Sequence, residues 1–244
     1  MPDAFESDRL APNWPHRELV TNEWLAANVR QGPLGRLYPP HKFIMEGDTP
    51  SFLSLISNGL NEPDYPEYGG WDGRYVRANV TGGHYTDSTD RYEARDGTVY
   101  FSNHASIFRW RAAFQNDFAA RIAWSMTKDR GQSNHPPVPV VNSLATSAPI
   151  ELTLSSNKVI LDASGSSDPD GDALHYRWFL YPEASGLRDA PAVELVAQGP
   201  QVELIFPAGP KPAALHVILE VTDSGTPALT RYGRVIIRDE ELTH

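Results

Sequence analysis

The pattern of apolar residues in this chain changes near residue 133 and divides its 244 residues into two parts. Before that point, aromatic-rich loops alternate with helix-like stretches; after it, short alternating segments are separated by turn residues. The stretch between them contains Pro136, Pro137 and Pro139, whose rings remove N–H donors and favour an extended backbone. We therefore predict two domains, over 1–133 and 149–244, joined by a Pro-rich linker over 134–148.

The second part is predicted to be an all-β sandwich of immunoglobulin-like type. Its short segments alternate apolar and other residues with period two, as half-buried strands do. Six or seven such strands in about 95 residues are typical of this fold. Trp178, in the third strand, is expected to be the core aromatic residue. The predicted strands are Ile150–Leu154, Val159–Ala163, Leu174–Tyr181, Val202–Phe206, Leu215–Thr222 and Thr230–Ile237.

The first part has a mixed, α/β-like pattern. Helices are predicted over 15–30 and 106–127, and Lys42–Met45 suits a short buried strand. Residues 58–104 are predicted to form a long loop with one hairpin around Asp96-Gly97. The second helix has a single apolar stripe, formed by Ile107, Trp110, Phe114, Phe118 and Ile122.

Composition excludes several classes of partner. The formal charge is −10, from 21 basic and 31 acidic residues, without the Lys/Arg cluster that a nucleic-acid partner requires. No apolar run approaches the ~20 residues that span a bilayer. The chain contains no cysteine, so disulfides and thiolate metal sites are excluded. Its first residues lack the basic and apolar regions of a secretory signal. We expect neither a nucleic-acid nor a membrane partner.

Glu46 and Asp48 lie on the predicted turn between the Lys42–Met45 strand and a helix over 51–56. Ligands of α/β folds bind where strands end and helices begin, and a carboxylate there can face a metal ion or a hydroxyl-rich ligand. Asp48 is therefore a candidate metal or substrate ligand, and Glu46 could add a second oxygen. The alternative is that Asp48 caps the helix and that Glu46 is a solvated turn residue.

Asp168, Asp170 and Asp172 place three carboxylates on alternate positions of a tight turn, which suits a hard cation such as Ca²⁺. The Glu that would complete an EF-hand loop is missing, so that motif is excluded. Two interpretations stay open: a turn stabilised by its own Asp and Gly residues, and a turn that holds a structural Ca²⁺. Asp162 and Asp223 are further candidate ligands.

An aromatic loop around Pro66–Arg74 is a second candidate binding region. Asp72 and Arg74 could bind hydroxyl groups, and sugar rings or bases could stack on the rings of Tyr65, Tyr68, Trp71 and Tyr75. Long ordered loops in compact domains are often functional. The alternative is a loop that packs its aromatic rings against the helical part of the domain.

Nine blocks of sequence carry a resemblance to a known bacterial family. They are Glu18–Leu25, Gly32–Pro39, Glu46–Leu53, Asn58–Asn61, Gly69–Tyr75, Phe114–Trp124, Asn134–Val138, Leu161–Asp172 and Tyr176–Trp178. These blocks resemble, in the family's own order, cellulose-binding proteins with a nucleoside-hydrolase-like domain. The last two blocks fall in the family's C-terminal domain.

The resemblance implies a nucleoside-hydrolase-like α/β domain, in which a cluster of aspartates holds Ca²⁺. Most of those aspartates belong to an N-terminal motif, and one lies late, on a turn before a helix, where Asp48 fits. This chain has no Asp-x-Asp-x-x-x-Asp-Asp motif and no strands before Pro15. We therefore expect 1–133 to be the C-terminal portion of such a domain, with a separate chain as a candidate source of the rest. Family members are usually periplasmic or secreted.

Three functions follow as hypotheses. The first is a carbohydrate-related, cellulose-binding-type protein that is inactive alone and binds a carbohydrate or a nucleoside-like small molecule. The alternative is a subunit or fragment of a Ca²⁺-dependent N-glycosyl hydrolase acting on a ribosyl or related glycoside. In that enzyme, Ca²⁺ would lower the pKa of a bound water and an Asp would take its proton. The third is a structural accessory domain. The missing Asp motif counts against catalysis by the chain alone.

Overall fold

A computed structural model describes residues 15–42, 52–79, 82–94, 96–187, 192–209 and 211–239. Among these residues, β-strands outnumber helices, and most of the helices are short. Contacts within the chain divide it into two compact units: Met1–Ile56 with Pro63–Asn134, and Ser57–Glu62 with His135–His244. Within the described part of the chain, no helix combines the length and the apolarity needed to cross a membrane.

The N-terminal part of the first unit folds as short helices rather than as the single predicted helix over 15–30. A 3₁₀ turn over Arg17–Val20 ends at Thr21, whose backbone is extended and whose hydroxyl accepts a backbone N–H at 3.1 Å. This N-cap starts α1 (Asn22–Asn28), and α2 (Gly32–Gly35) follows. One face of α1 is buried. Its core consists of Leu25, Val29 and Ile122, with Trp24, Tyr38 and Phe118 packed against them.

Two antiparallel hairpins form the strands of the first unit. In the first, β1 (Tyr75–Arg77) pairs with β2 (Tyr85–Asp87); in the second, β3 (Asp90–Glu93) pairs with β4 (Val99–Ser102). The second hairpin confirms the prediction at Asp96-Gly97, because Gly97 supplies the positive φ (+83°) of the turn. Thus the strands described in this unit pair as hairpins, not as the parallel sheet of an α/β fold; the predicted strand at 43–45 lies outside the described residues.

The helix predicted over 106–127 is present as two consecutive helices, α3 (Ala105–Phe108) and α4 (Arg111–Met126). They are separated at Arg109 and Trp110, where the Trp110 backbone (φ −109°, ψ −4°) departs from regular helix. The predicted stripe is confirmed as the buried face. Ile107, Trp110, Phe114 and Ile122 are buried and Phe118 is half-buried.

Nine strands form the second unit over its described residues. They are β5 (Val140–Val141), β6 (Leu144–Ala145), β7 (Ile150–Leu154), β8 (Lys158–Asp162), β9 (Leu174–Leu180), β10 (Glu194–Gln198), β11 (Gln201–Ile205), β12 (Ala214–Asp223) and β13 (Thr230–Asp239). One sheet has the order β10-β11-β8, a second has the order β7-β13-β12-β9, and β5 and β6 form a small hairpin. The strand pairs are antiparallel except for β13 with β7. All six predicted strands are present, and β10 was not predicted.

The two larger sheets share one hydrophobic core. Alternate residues of β12 (Leu215, Val217, Leu219 and Val221) are fully buried and face Leu161 and Val202 of the other sheet within a single cluster. Trp178 belongs to the same cluster, and its indole N–H donates to the Pro200 carbonyl at 3.2 Å. The period-two pattern of the sequence therefore marks the residues of β12 that face this core; His216 and Ile218, on the other face of the strand, are buried as well.

Two segments differ from their predicted positions. The 134–148 segment, predicted to be a linker, carries β5 and β6, pairs Val138 with Ser167, and buries Val141 in the core. Ser57–Glu62, predicted to belong to the first domain, lies against β13 instead, and the Tyr232 N–H donates to the Asn58 carbonyl at 2.8 Å. Both segments share one physical reason for their positions: their backbone N–H and C=O groups form hydrogen bonds with strands or turns of the second unit.

Candidate functional site

The first predicted site residues, Glu46 and Asp48, lie outside the described residues, as does 43–51 in general. Their predicted role as metal or substrate ligands stays a prediction. The described segment after them begins with a short helical turn at Phe52 and Leu53, consistent with the predicted helix over 51–56.

The aromatic loop contains an exposed pair of tyrosines. A 3₁₀ turn over Pro66–Tyr68 follows Tyr65 and brings the rings of Tyr65 and Tyr68 together, with centroids 4.8 Å apart and planes 12° from parallel. The Tyr68 N–H donates to the Tyr65 carbonyl at 2.9 Å, which closes the turn. Tyr65 is 49% exposed. We call Tyr65 and Tyr68 the tyrosine pair; Tyr68 is half-buried, and Tyr65 is the exposed member of the pair.

The ring of Trp71 is not exposed to solvent. It lies in a tight turn in which Gly70 and Gly73 exchange two backbone hydrogen bonds of 2.9 and 3.0 Å. Gly73 has φ +98°, and a Cβ there would lie 3.0 Å from the Ser106 hydroxyl, so only glycine lets the turn approach α3 this closely. Trp71 is fully buried. The predicted stacking role is therefore replaced by a core role, as the alternative interpretation of this loop expects.

Arg74 is likewise a buried structural residue. Its Nε lies 2.8 Å from the Asp90 carboxylate, and Asp90 has no exposed surface. Arg74 also accepts the Ser88 N–H at its carbonyl. Asp90, which was not singled out in the sequence, thus fixes the end of the Gly70–Gly73 turn to the start of β3. The sequence carries no clear signal for this buried partner, because Asp90 begins a strand that also contains Arg91 and Glu93.

Asp72 is half-buried at the tip of the same turn. Burial raises the pKa of its carboxyl to about 7, and its backbone carbonyl accepts the Tyr75 hydroxyl at 3.0 Å. Burial, followed by the charges of Asp72 and Asp87, also raises the pKa of Tyr75. The carboxyl of Asp72 can therefore donate or accept a hydrogen bond near neutral pH, which suits recognition of a hydroxyl group.

The carboxylates of Asp168, Asp170 and Asp172, which we call the acidic turn, come together in the second unit. One oxygen of each lies within 4.8 Å of the others. Asp168 Oδ1 accepts the N–H groups of Asp170 and Asp172 at 2.8 and 3.1 Å, which is the predicted self-stabilised turn. Within the described chain, the buried Asp168 Oδ2 has no hydrogen-bond partner. That oxygen and the two neighbouring carboxylates fit the preference of Ca²⁺ for oxygen ligands.

Other groups limit what the acidic turn can bind. The Asp170 carboxylate accepts the His135 N–H and lies 3.1 Å from the His135 ring. Asp162 instead accepts from Ser164 and Gln201, and Asp223 from Gly225 and Leu229. Neither of these two candidate ligands belongs to the group of three carboxylates.

Comparison with known proteins identifies the class of this chain. Residues 5–75 match the family described as cellulose-binding Sde182, nucleoside hydrolase-like domain, and residues 158–239 match the family described as cellulose-binding protein Sde0182, C-terminal domain. Both matches describe one kind of carbohydrate-associated protein. The chain belongs to this cellulose-binding protein family with a nucleoside hydrolase-like domain, which confirms the resemblance inferred from the sequence.

A solved structure supports the same assignment. It is a nucleoside hydrolase-related hypothetical protein from Saccharophagus degradans, described as associated with carbohydrate metabolism, with 32% identity and a TM-score of 0.74. The match covers 97% of this chain and 56% of that one. The extracellular domain of protocadherin GammaB4 also matches, at 16% identity and a TM-score of 0.28, over 43% of this chain and 17% of its own; that likeness is too slight to inform function. No curated protein sequence matches.

Proposed function

We propose that this chain binds cellulose-type carbohydrate and that the tyrosine pair is the surface that holds the glucan. The observation that carries this proposal is the parallel stack of Tyr65 and Tyr68 with Tyr65 half exposed. The descriptions of both matching families contain the words cellulose-binding. The role assigned in the sequence to Tyr68 is thereby kept, and Tyr65 takes the exposed position that was expected of Trp71.

The chemistry of a β-glucan fits such a surface. Each pyranose ring has an apolar C–H face and a rim of hydroxyl groups, so an aromatic face removes apolar surface from water while polar groups bind the rim. The hydroxyls of the tyrosine pair and the carboxyl of Asp72 supply polar groups of this kind. Because burial raises the pKa of Asp72 to about 7, its carboxyl is partly protonated at neutral pH and can bind a hydroxyl group without a cationic partner. A neutral polysaccharide also tolerates the net charge of −10.

Retention on microcrystalline cellulose tests the proposal. Stacking covers part of one tyrosine ring, so we expect Tyr65→Ala to lower the association constant about tenfold. Tyr85→Ala is the matched control, because Tyr85 is also exposed but has the Arg77 guanidinium 5.8 Å from its ring centroid. Equal retention of the Tyr65 variant and the unmodified chain would remove the tyrosine pair from the binding surface.

We propose further that the second unit is an immunoglobulin-like β-sandwich, following a first unit that is a portion of a nucleoside-hydrolase-like α/β domain. Two facing sheets around one core and a buried Trp178 support the sandwich. The acidic turn is proposed to hold a structural Ca²⁺ through Asp168, Asp170 and Asp172. By analogy with its family, the protein is proposed to be periplasmic or secreted, which fractionation of native cells would test.

A second candidate function is Ca²⁺-dependent hydrolysis of an N-glycosyl bond. The match of 5–75 to a nucleoside hydrolase-like domain favours it, because that range includes Asp48. The chain lacks the Asp-x-Asp-x-x-x-Asp-Asp motif that supplies most of the ion's ligands in related hydrolases, so we propose that it is inactive alone. Turnover of inosine or a nitrophenyl riboside with added CaCl₂, abolished by Asp48→Asn, would establish the hydrolase and refute inactivity.

A further inference from the structure

We infer that the solvent face of the β3–β4 hairpin, formed by Phe101, Val99, Arg91 and Glu93, is a second contact surface for a β-glucan chain. This inference rests on the proposed carbohydrate-binding function and adds a site that the sequence did not indicate. We call these four residues the hairpin face.

The hairpin face exposes large apolar groups. Phe101 is 75% exposed and Val99 is 48% exposed, both on β4 and two residues apart. Because side chains alternate along a strand, both project from the same face of the hairpin. Single exposed apolar residues are common on proteins, so exposure alone does not indicate a binding site. The polar residues beside the Phe101 ring are the additional evidence.

Polar groups flank the phenylalanine ring. The register places Arg91 directly opposite Phe101 and Glu93 directly opposite Val99, so the four side chains share one face. The Arg91 guanidinium and the Glu93 carboxylate form an exposed ion pair of 3.0 Å. A guanidinium donates and a carboxylate accepts, so together they can bind adjacent sugar hydroxyls while the ring covers the C–H face.

The opposite face of the hairpin holds the strands rigidly in place. The rings of Tyr92 and Tyr100 stack with centroids 6.4 Å apart, and Tyr100 packs edge-on against Phe108 at 5.6 Å. Arg109 donates to the Arg91 carbonyl at 2.8 Å. A surface that is ordered before binding loses less conformational entropy when a ligand arrives.

A buried ion pair connects the hairpin face to the loop of the tyrosine pair. Asp90 is the first residue of β3, and its carboxylate holds Arg74, which ends the turn that follows the tyrosine pair. Both aromatic surfaces therefore belong to one fixed part of the first unit. An extended polymer, unlike a small sugar, can occupy two such surfaces at once and gains affinity from both.

Adsorption isotherms on microcrystalline cellulose test the inference with the full chain. We expect Phe101→Ala to lower the association constant about tenfold, because the variant loses the apolar surface that the ring would bury against the glucan. Ile160→Ala is the matched control: Ile160 is 58% exposed on a strand of the second unit, and its loss is expected to leave retention unchanged. Phe101→Trp is expected to preserve retention, and its added indole should shift in emission when cellohexaose binds.

The outcomes separate this inference from the proposed function. Retention that falls with Tyr65→Ala but not with Phe101→Ala overturns the hairpin face and leaves the proposed function standing. Absence of retention by the unmodified chain overturns both. Light scattering distinguishes a protein occupant: a chain that self-associates and becomes monomeric with Phe101→Ala, without change in retention, would make this face an interface between copies instead. Unchanged melting temperatures for Phe101→Ala and Ile160→Ala exclude unfolding as the cause of lost retention.

Discussion

The Arg234 guanidinium ties Ser57–Glu62 to β13, and its removal measures how much that segment stabilises the second unit. Arg234 is fully buried, with Nε and Nη2 lying 3.3 and 3.0 Å from the Leu60 carbonyl. Its Nη1 lies 2.9 Å from Nδ1 of the buried His216. Burial lowers the pKa of His216 to about 3, with the charges of Arg234 and Arg238 adding to the effect. The imidazole is therefore neutral, and Nδ1 accepts the hydrogen bond.

Arg234→Met keeps much of the apolar volume but removes these donors from two buried acceptors. Each orphaned acceptor costs about 1–3 kcal/mol, and relief of the desolvated guanidinium offsets part of that cost. We expect the free energy of unfolding to fall by about 3 kcal/mol. Arg238→Met is the matched control on the same strand, since Arg238 forms a surface ion pair with Glu151 at 2.8 Å. Such pairs contribute about 0–1 kcal/mol.

Urea unfolding, followed by circular dichroism and tryptophan fluorescence, measures both losses. Hydrogen exchange adds a local readout, because the Tyr232 N–H is bonded to the Asn58 carbonyl at 2.8 Å. We expect protection of this amide to fall in the Arg234 variant and to persist in the Arg238 variant. NMR titration should also show a higher His216 pKa in the Arg234 variant. Equal losses of stability for the two variants, or unchanged Tyr232 protection, would refute the proposed role of the Ser57–Glu62 contact.

Three further predictions concern the candidate sites. The folded-state pKa of Asp72, about 7, exceeds the ordinary 3.8, so its contribution to stability is lost as pH rises through 7; Asp72→Asn should stabilise the chain by on the order of 2 kcal/mol at pH 8 and by little at pH 4, as melting curves at both pH values would show. Trp71→Ala should cost about 3–5 kcal/mol of stability because the ring is fully buried, and a variant melting like the unmodified chain would contradict this. CaCl₂ should raise the melting temperature of the second unit and EDTA reverse the rise, with no response after Asp170→Asn; an unchanged melting temperature would favour the metal-free acidic turn.

The strands of the second unit could be predicted because the residues that face the core between the two sheets recur with a period of two. β12 alternates Leu215, Val217, Leu219 and Val221 toward the core, and that alternation is visible in the sequence. β10 (Glu194–Gln198) was not predicted because it lacks this alternation. It is an edge strand whose residues are half-buried or exposed, so no clear alternation marks it.

The contacts of Ser57–Glu62 could not be predicted, because they run through the backbone. Asn58 and Leu60 bind β13 through their carbonyls, which every residue has, and the partner Arg234 lies 174 residues from Leu60. Only Gly59 carries a local signal. Its φ is +82°, and a Cβ would lie 2.0 Å from the Tyr232 carbonyl oxygen. A glycine that follows an asparagine is typical of ordinary turns as well, so the sequence alone does not identify its role.

The aromatic loop shows why residue type alone does not predict which side chains are exposed. Trp71 and Arg74 carry the chemistry that suits a sugar, yet both are buried, and they use it to build a turn. A ring that stacks on a ligand must have one side open, and a ring that supports a rigid turn must have both sides covered. The exposed ring therefore has to belong to a neighbour, here Tyr65. In the proposed function, the buried Trp71 and Arg74 would act by keeping that neighbour's loop from rearranging. The Arg74–Asp90 pair would then be a positioning pair, because it joins the loop of the tyrosine pair to β3.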